Sequence, residues 1–293
     1  MTEGRSPSPD PAPTTPERAS RPDPDNVVVV LSHTTEPANI GSTCRAMKTM
    51  GLKRLRLIAP LNPRGRSARA LAHGAQDVLD AAELHDTLDT AVADAVVVVG
   101  TTARRRQLRK HALLTPGEAA ARVAEHSRDG TVVILFGTER TGLSNDEADI
   151  CRYLSRVDTS EDQPSLNLAM AVMLYAWEVR QAFLRTEAGL PPPTRRSPAS
   201  GGDPRRPPHP EMAVRHPHRG TRLPTQFELD SMYAHLAYAM EGLGYSEWER
   251  RKFLTYLRHL HMRAGMVDWE MQIYHLLARR IVELTGLPAF NGQ

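Results

Sequence analysis

The chain predicts an α/β fold built on a parallel sheet, followed by a small all-helical module. Short β-branched runs, Val27–Leu31, Leu55–Ala59, Val96–Val99 and Val132–Phe136, recur between segments of helical periodicity. These runs are continuously apolar rather than alternating, as strands covered on both faces are. Beyond residue 224 the strand signal stops and only the helical period remains.

The elements follow in order. Of the 23 prolines, seven precede residue 26 and ten fall between 191 and 224. Those two segments are therefore read as irregular, since proline lacks the N–H that helices and ladders need. This divides the 293 residues into a tail (1–25), a domain (26–188), a linker (189–224) and a helical module (225–293). Within the domain, a helix opens near Asn39 after the first strand. Thr115-Pro116-Gly117-Glu118 and Ser144-Asn145-Asp146-Glu147 have the capping-box spacing that starts a helix. Leu154–Val157 reads as a further strand, and a helix from Ser165 to about Arg185 is apolar on more than one side, which demands burial on several faces. In the module, Thr225-Gln226-Phe227-Glu228 and Ser246-Glu247-Trp248-Glu249 are again capping boxes. Gly242 and Gly244 end the first helix and Gly265 the second; a third runs from about Asp268 to Leu284.

Composition narrows the class. A net charge of +3 and a pI near 9 permit a polyanionic partner without requiring one. Cys44 and Cys151 form neither a metal spacing nor a disulfide framework, and no run approaches the ~20 apolar residues of a membrane span. No apolar signal core opens the chain, so the expectation is a soluble protein of a reducing cytoplasm. Aromatic residues make up 5% of the chain, too few for extensive base stacking. The linker carries Arg195, Arg196, Arg205, Arg206, Arg215, Arg219 and Arg222, which suits either a solvated spacer or an RNA-gripping arm.

Three polar motifs lie at or just beyond the ends of apolar runs, where open α/β sheets build their sites. They are Asn39-Ile40-Gly41-Ser42-Thr43-Cys44-Arg45, Phe136-Gly137-Thr138-Glu139-Arg140-Thr141-Gly142-Leu143, and Ser165-Leu166-Asn167 opening the long apolar helix. Gly137 and Gly142 have Walker-A spacing, but Leu143 stands where the lysine would be. No Gly-x-Gly-x-x-Gly follows any strand, so neither a phosphate loop nor an ordinary dinucleotide site is present.

In order and identity these motifs resemble those of the SpoU (TrmH-type) branch of the SPOUT RNA methyltransferases: N-x-G-x-x-x-R, F-G-x-E-x-x-G-L and S-L-N. Residues 45–52 and 165–172 resemble its TrmJ type nearly letter for letter. The resemblance covers residues 27–185 strongly and the helical extension weakly. It implies a SPOUT sheet with a C-terminal deep trefoil knot, a homodimer packed through the Ser165–Arg185 helix, and S-adenosylmethionine as methyl donor. It further implies 2′-O-methylation of tRNA at the pyrimidine of position 32 in the anticodon loop, with no metal. Ribosomal RNA is the alternative substrate, and a catalytically inactive RNA-binding protein the alternative class.

Residue by residue, the resemblance implies a catalytic set of Asn39, Arg45, Glu139, Ser165 and Asn167. It implies a cofactor set of Thr101, Thr102, Ala103, Gly137, Glu139, Gly142, Val157, Ser165 and Leu166. Arg45 is expected about a turn and a half into its helix. A guanidinium with a pKa above ~12 is a poor base, so its fitting role is to fork onto a phosphate and stabilise developing alkoxide charge. A purely structural tie from Arg45 to a carboxylate is the competing reading, as helix capping is for Asn39, Ser165 and Asn167. Glu139 is expected to position Arg45 or Arg140. Thr138 departs from the TrmJ pattern, where arginine is common. Arg104, Arg105, Arg106, Arg109 and Lys110 form a basic run beside Thr101–Ala103, suited to a phosphate track or a solvated face.

Overall fold

The computed structural model describes residues 21–103, 113–191 and 222–291. The basic run 104–110, the first twenty residues and most of the linker (192–221) lie outside them. The strands are β1 (Val27–Ser32), β2 (Arg54–Ile58), β3 (Glu83–His85), β4 (Ala95–Thr101), β5 (Leu113–Leu114), β6 (Thr131–Phe136) and β7 (Tyr153–Ser155). They form one parallel sheet in the order β3-β2-β1-β6-β4-β7-β5. The chain builds outward from β1 on one side and then restarts at β4 on the other. The resulting switch point lies at the carboxyl ends of β1, β6 and β4, where such sheets open a crevice.

The helices of this part are α1 (Pro37–Thr49), α2 (Arg66–Leu71), α3 (Gln76–Asp80), α4 (Leu88–Val92), α5 (Pro116–His126), α6 (Asn145–Asp149) and α7 (Leu168–Glu187). Alternation along the strands sorts the core. Val27, Val29, Leu31, Ile134 and Phe136 meet α1, α5 and α7, whereas Val28, Val30, Val133 and Leu135 meet α4 and α6. Gly41 is needed where α1 crosses α2, since a Cβ there would lie 2.1 Å from the Ala68 carbonyl oxygen.

All four predicted capping boxes form, at Thr115, Ser144, Thr225 and Ser246. Three expectations shift. The apolar helix begins at Leu168, not Ser165: Asn167 caps it by accepting from the Ala169 and Met170 amides at 2.9 and 3.3 Å. The strand expected at Leu154–Val157 is Tyr153–Ser155, and the tail becomes regular earlier than residue 26, in a 3-10 turn at Pro24–Asn26 capped by Asp23. Strands β3 and β5, three and two residues long, are too short to carry a strand signal of their own.

Three helices close the chain: α8 (Gln226–Gly242), α9 (Glu247–Ala264) and α10 (Asp268–Thr285). They share a core of Met232, Leu236, Ala239, Met271, Ala278 and Val282. Inside it His261 is held between the hydroxyls of Tyr233 (2.8 Å) and Tyr274 (3.0 Å), and burial pushes its pKa down to about 4. The module sits against the sheet domain. The Phe227 amide donates to the Ala93 carbonyl at 3.0 Å, and His259 Nε2 lies 3.6 Å from the Asp149 carboxylate of α6. No helix among the described residues is long and apolar enough to cross a membrane.

Candidate active site

The switch point brings motifs one, two and three together through the side-chain amide of Asn39. Glu139, three residues beyond β6, accepts from Asn39 Nδ2 at 3.1 Å, and Asn39 Oδ1 accepts from Asn167 Nδ2 at 2.9 Å. Weaker contacts reach Glu139 from the Thr35 amide and hydroxyl (3.3 and 3.4 Å) and the Glu36 amide (3.4 Å). Burial opposes ionisation of Glu139, but the Asn39 hydrogen bond and backbone amides outweigh it and hold its carboxyl below the usual range. The carboxylate is therefore a fixed anion tying the loop after β6 to the connection after β1 and to α1, and Asn39 passes the link on to Asn167 at the cap of α7. Its partners are not Arg45 or Arg140, the expected ones.

Beside this bridge lies an open cavity of about 410 Å³. One wall is Thr101, Thr102 and Ala103 beyond β4; a second is the loop from Phe136 to Gly142; a third is Pro164, Ser165 and Leu166 ahead of α7. Phe136 and Tyr175 form part of the lining, their rings edge to face with centroids 5.6 Å apart. The Tyr175 hydroxyl donates to Ser155 Oγ at 2.8 Å, and burial pushes the phenol up so that it stays protonated.

The Phe136–Gly142 wall needs its glycines. A Cβ on Gly137 would lie 2.1 Å from the Gly142 carbonyl carbon, and Gly142 itself has φ +65°. Thr138 closes the same loop: its carbonyl accepts from the Gly142 amide at 2.9 Å and its hydroxyl lies 2.7 Å from that of Thr141. Threonine here serves the loop's own geometry.

The structure brings Thr101, Thr102, Ala103, Gly137, Glu139, Gly142, Val157, Ser165 and Leu166 to this one cavity. Asn39 and Asn167 reach it only through Glu139, and Arg45 does not line it. Arg45 is exposed on α1, with no side-chain partner among the described residues. Tyr175, Ala171 and Leu168 line the cavity without having been singled out. In sequence they read as core positions of an apolar helix, and only the fold shows which of them border the opening.

A parallel α/β domain with a ligand-sized cavity at its switch point, walled by backbone-rich loops instead of a phosphate loop, is an enzyme-type domain for a small, partly apolar ligand. The chain belongs to the SpoU rRNA Methylase family, whose family model matches residues 26–177, and the resemblance read from the three motifs holds. It is 46% identical over 167 residues to the tRNA (cytidine/uridine-2'-O-)-methyltransferase TrmJ of Yersinia enterocolitica, a match spanning 57% of this chain and 65% of that protein. The chain thus spans just under two thirds of that relative's length. A longer match, 36% identical over 251 residues, covers 85% of this chain and 91% of the tRNA (cytidine/uridine/adenosine-2'-O-)-methyltransferase TrmJ of Pseudomonas aeruginosa. Among solved structures, TrmJ from Z. mobilis ZM4 superposes with a TM-score of 0.65 at 29% identity, covering 87% of this chain and 98% of that one.

Proposed function

We propose that this protein transfers a methyl group from S-adenosylmethionine to a ribose 2′-hydroxyl of tRNA, at the pyrimidine of position 32, and works in the cytoplasm as a homodimer. One observation carries the reading. The cavity formed by motifs two and three is tied to motif one by the Glu139–Asn39–Asn167 bridge, and the exposed side chain of Arg45, on the same helix as Asn39, has no partner among the described residues.

The cavity fits the donor. Its volume suits a nucleoside with an amino-acid arm. Phe136, Leu166 and Leu168 offer apolar surface to an adenine, and the glycine-rich loop exposes backbone polar groups with no Cβ in the way. When bound, the cofactor supplies an electrophilic methyl on a sulfonium, so the chain has to align the acceptor and manage one proton. Glu139 and Asn39 fix the relation between the cavity and α1. Arg45 forks onto the phosphate beside the reacting ribose and stabilises the developing alkoxide, while the hydroxyl proton leaves to that phosphate or to water. Holding the two reactants in attack geometry is worth up to ~7–11 kcal/mol. The Phe136–Gly142 loop and the turn before Ser165 are, in this reading, the threads of the deep trefoil knot.

Dimerisation has its own support. α7 buries Val172, Tyr175, Ala176, Val179 and Phe183 in its own domain, yet leaves Met170, Met173, Trp177 and Leu184 exposed at spacings of three, four and seven. Such a stripe is the face a second copy would cover.

Calorimetry with S-adenosylhomocysteine tests the cofactor. It should bind without added metal, and Gly137→Ala, which places a methyl inside the loop, should weaken it at least about tenfold through strain on the order of 1–3 kcal/mol. Binding of NAD or ATP in its place would refute the assignment.

A further inference from the structure

Composition argues against extensive base stacking, yet four of the six exposed aromatic side chains among the described residues are gathered at one helix. Tyr245, Trp248, Phe253 and Tyr256 are 46, 68, 51 and 60% exposed, all on α9 or in the turn that starts it. None of these four belongs to the module's core. Cations are interleaved with them. Lys252 holds its ammonium 4.7 Å from the centre of the Trp248 ring, and Arg251 is exposed beside it, whereas Arg250 is committed to Glu241 and Arg258 to Asp230. The acidic residues of the helix are Glu247 and Glu249, and Glu249 is consumed by the cap at Ser246.

The direction of this face matters. Trp248, Lys252, Thr255 and His259 follow the helical repeat, so they lie on one stripe. At its far end His259 meets Asp149 of α6, the helix that directly follows the cavity loop. Eleven residues at ~1.5 Å each put Trp248 about 16 Å along the helix from that contact.

We propose that the exposed face of α9 is a stacking platform for unpaired bases of the RNA substrate, flanking the nucleotide held at the cavity. Aromatic rings accept any base face, and neighbouring ammonium and guanidinium groups track the phosphates between them. An aliphatic protein-docking stripe would lack both features, and Lys252 keeps its ammonium beside the Trp248 ring, within reach of a phosphate next to a base stacked there. The inference rests on the RNA-methylating role proposed above, but extends it to residues outside the three motifs.

The test uses the full chain and two probes, an unstructured oligouridylate and tRNA. Oligouridylate should quench the Trp248 emission, and the quench should vanish in Trp248→Ala. Removing Trp248 and Tyr256 together should weaken tRNA binding by roughly 5- to 150-fold per ring lost, leaving S-adenosylhomocysteine binding and helix content unchanged. Trp248→Phe, which keeps a ring, should restore most of the affinity, and Lys252→Ala should reduce the salt slope of binding by about one ion. Methylation that proceeds with undiminished tRNA affinity in the double variant would overturn the platform while leaving the reaction intact. Stacking on oligouridylate in a protein that methylates no RNA would sustain the platform and remove the reaction. If the double variant instead lost its dimer, the face would be a protein interface and the proposal would be wrong.

Discussion

Glu139 accepts from four donors, yet none of them is a cation. A carboxylate placed this way does not pair with Arg45, so in the proposed reaction all the guanidinium donors are left for a phosphate. Arg45→Ala should therefore cut methyl transfer by roughly 10²- to 10³-fold, the range for losing one donor to a developing oxyanion. Stability should change by less than ~0.5 kcal/mol, because the side chain is exposed and has no hydrogen-bond or ion-pair partner among the described residues. Steady-state methylation, with S-adenosylhomocysteine affinity as control, separates this from a structural role, in which cofactor binding or the fold would fail with it. Elsewhere Glu228 shows the same chemistry put to structural use. Its hydrogen bonds from Arg222 lead the causes that take its pKa from 4.5 down to about 2, while it also closes the α8 capping box. A depressed folded pKa means the stabilisation is complete above pH 4.5 and is lost as pH falls from there through about 2. Thermal melts across that window should show the loss, and Glu228→Gln, which keeps the cap, should flatten it.

At the scale of the element, α7 is the part most open to test. Its apolar character all round was visible in the letters, but the division between a core face and an exposed stripe needed the packing against α1 and α5. Trp177→Glu on the exposed stripe should shift the protein towards monomer in sedimentation, with a loss of about 2 kcal/mol or more if Trp177 anchors the interface. An unchanged dimer would put the interface elsewhere. The same contrast explains which elements could be read beforehand. Capping boxes are local, three residues from end to end, and all four were legible. β3 and β5 exist because β2 and β7 offer open edges, a long-range cause that no window of sequence contains. The Asn39–Glu139 bond spans 100 residues and depends on β1 lying beside β6. The motifs named both partners, and only the strand order showed that they meet. Likewise, Tyr175 lines the cavity from a position that reads as plain helix core.

On the scale of the whole molecule, each part has one task in the proposed function. The sheet domain would hold the cofactor and align the ribose, while the α8–α10 module, anchored by Phe227 to Ala93 and by His259 to Asp149, would offer its aromatic and basic face to the rest of the RNA. The central claim is the reaction and its target. The most direct measurement incubates the purified protein with S-adenosylmethionine bearing a labelled methyl group and unmodified tRNA or ribosomal RNA, then maps the label by nuclease digestion and mass spectrometry. The account predicts label on the ribose 2′-oxygen of the anticodon-loop pyrimidine at position 32 in tRNA, absent in Arg45→Ala. Label on a base, on ribosomal RNA alone, or undiminished in Arg45→Ala would contradict it.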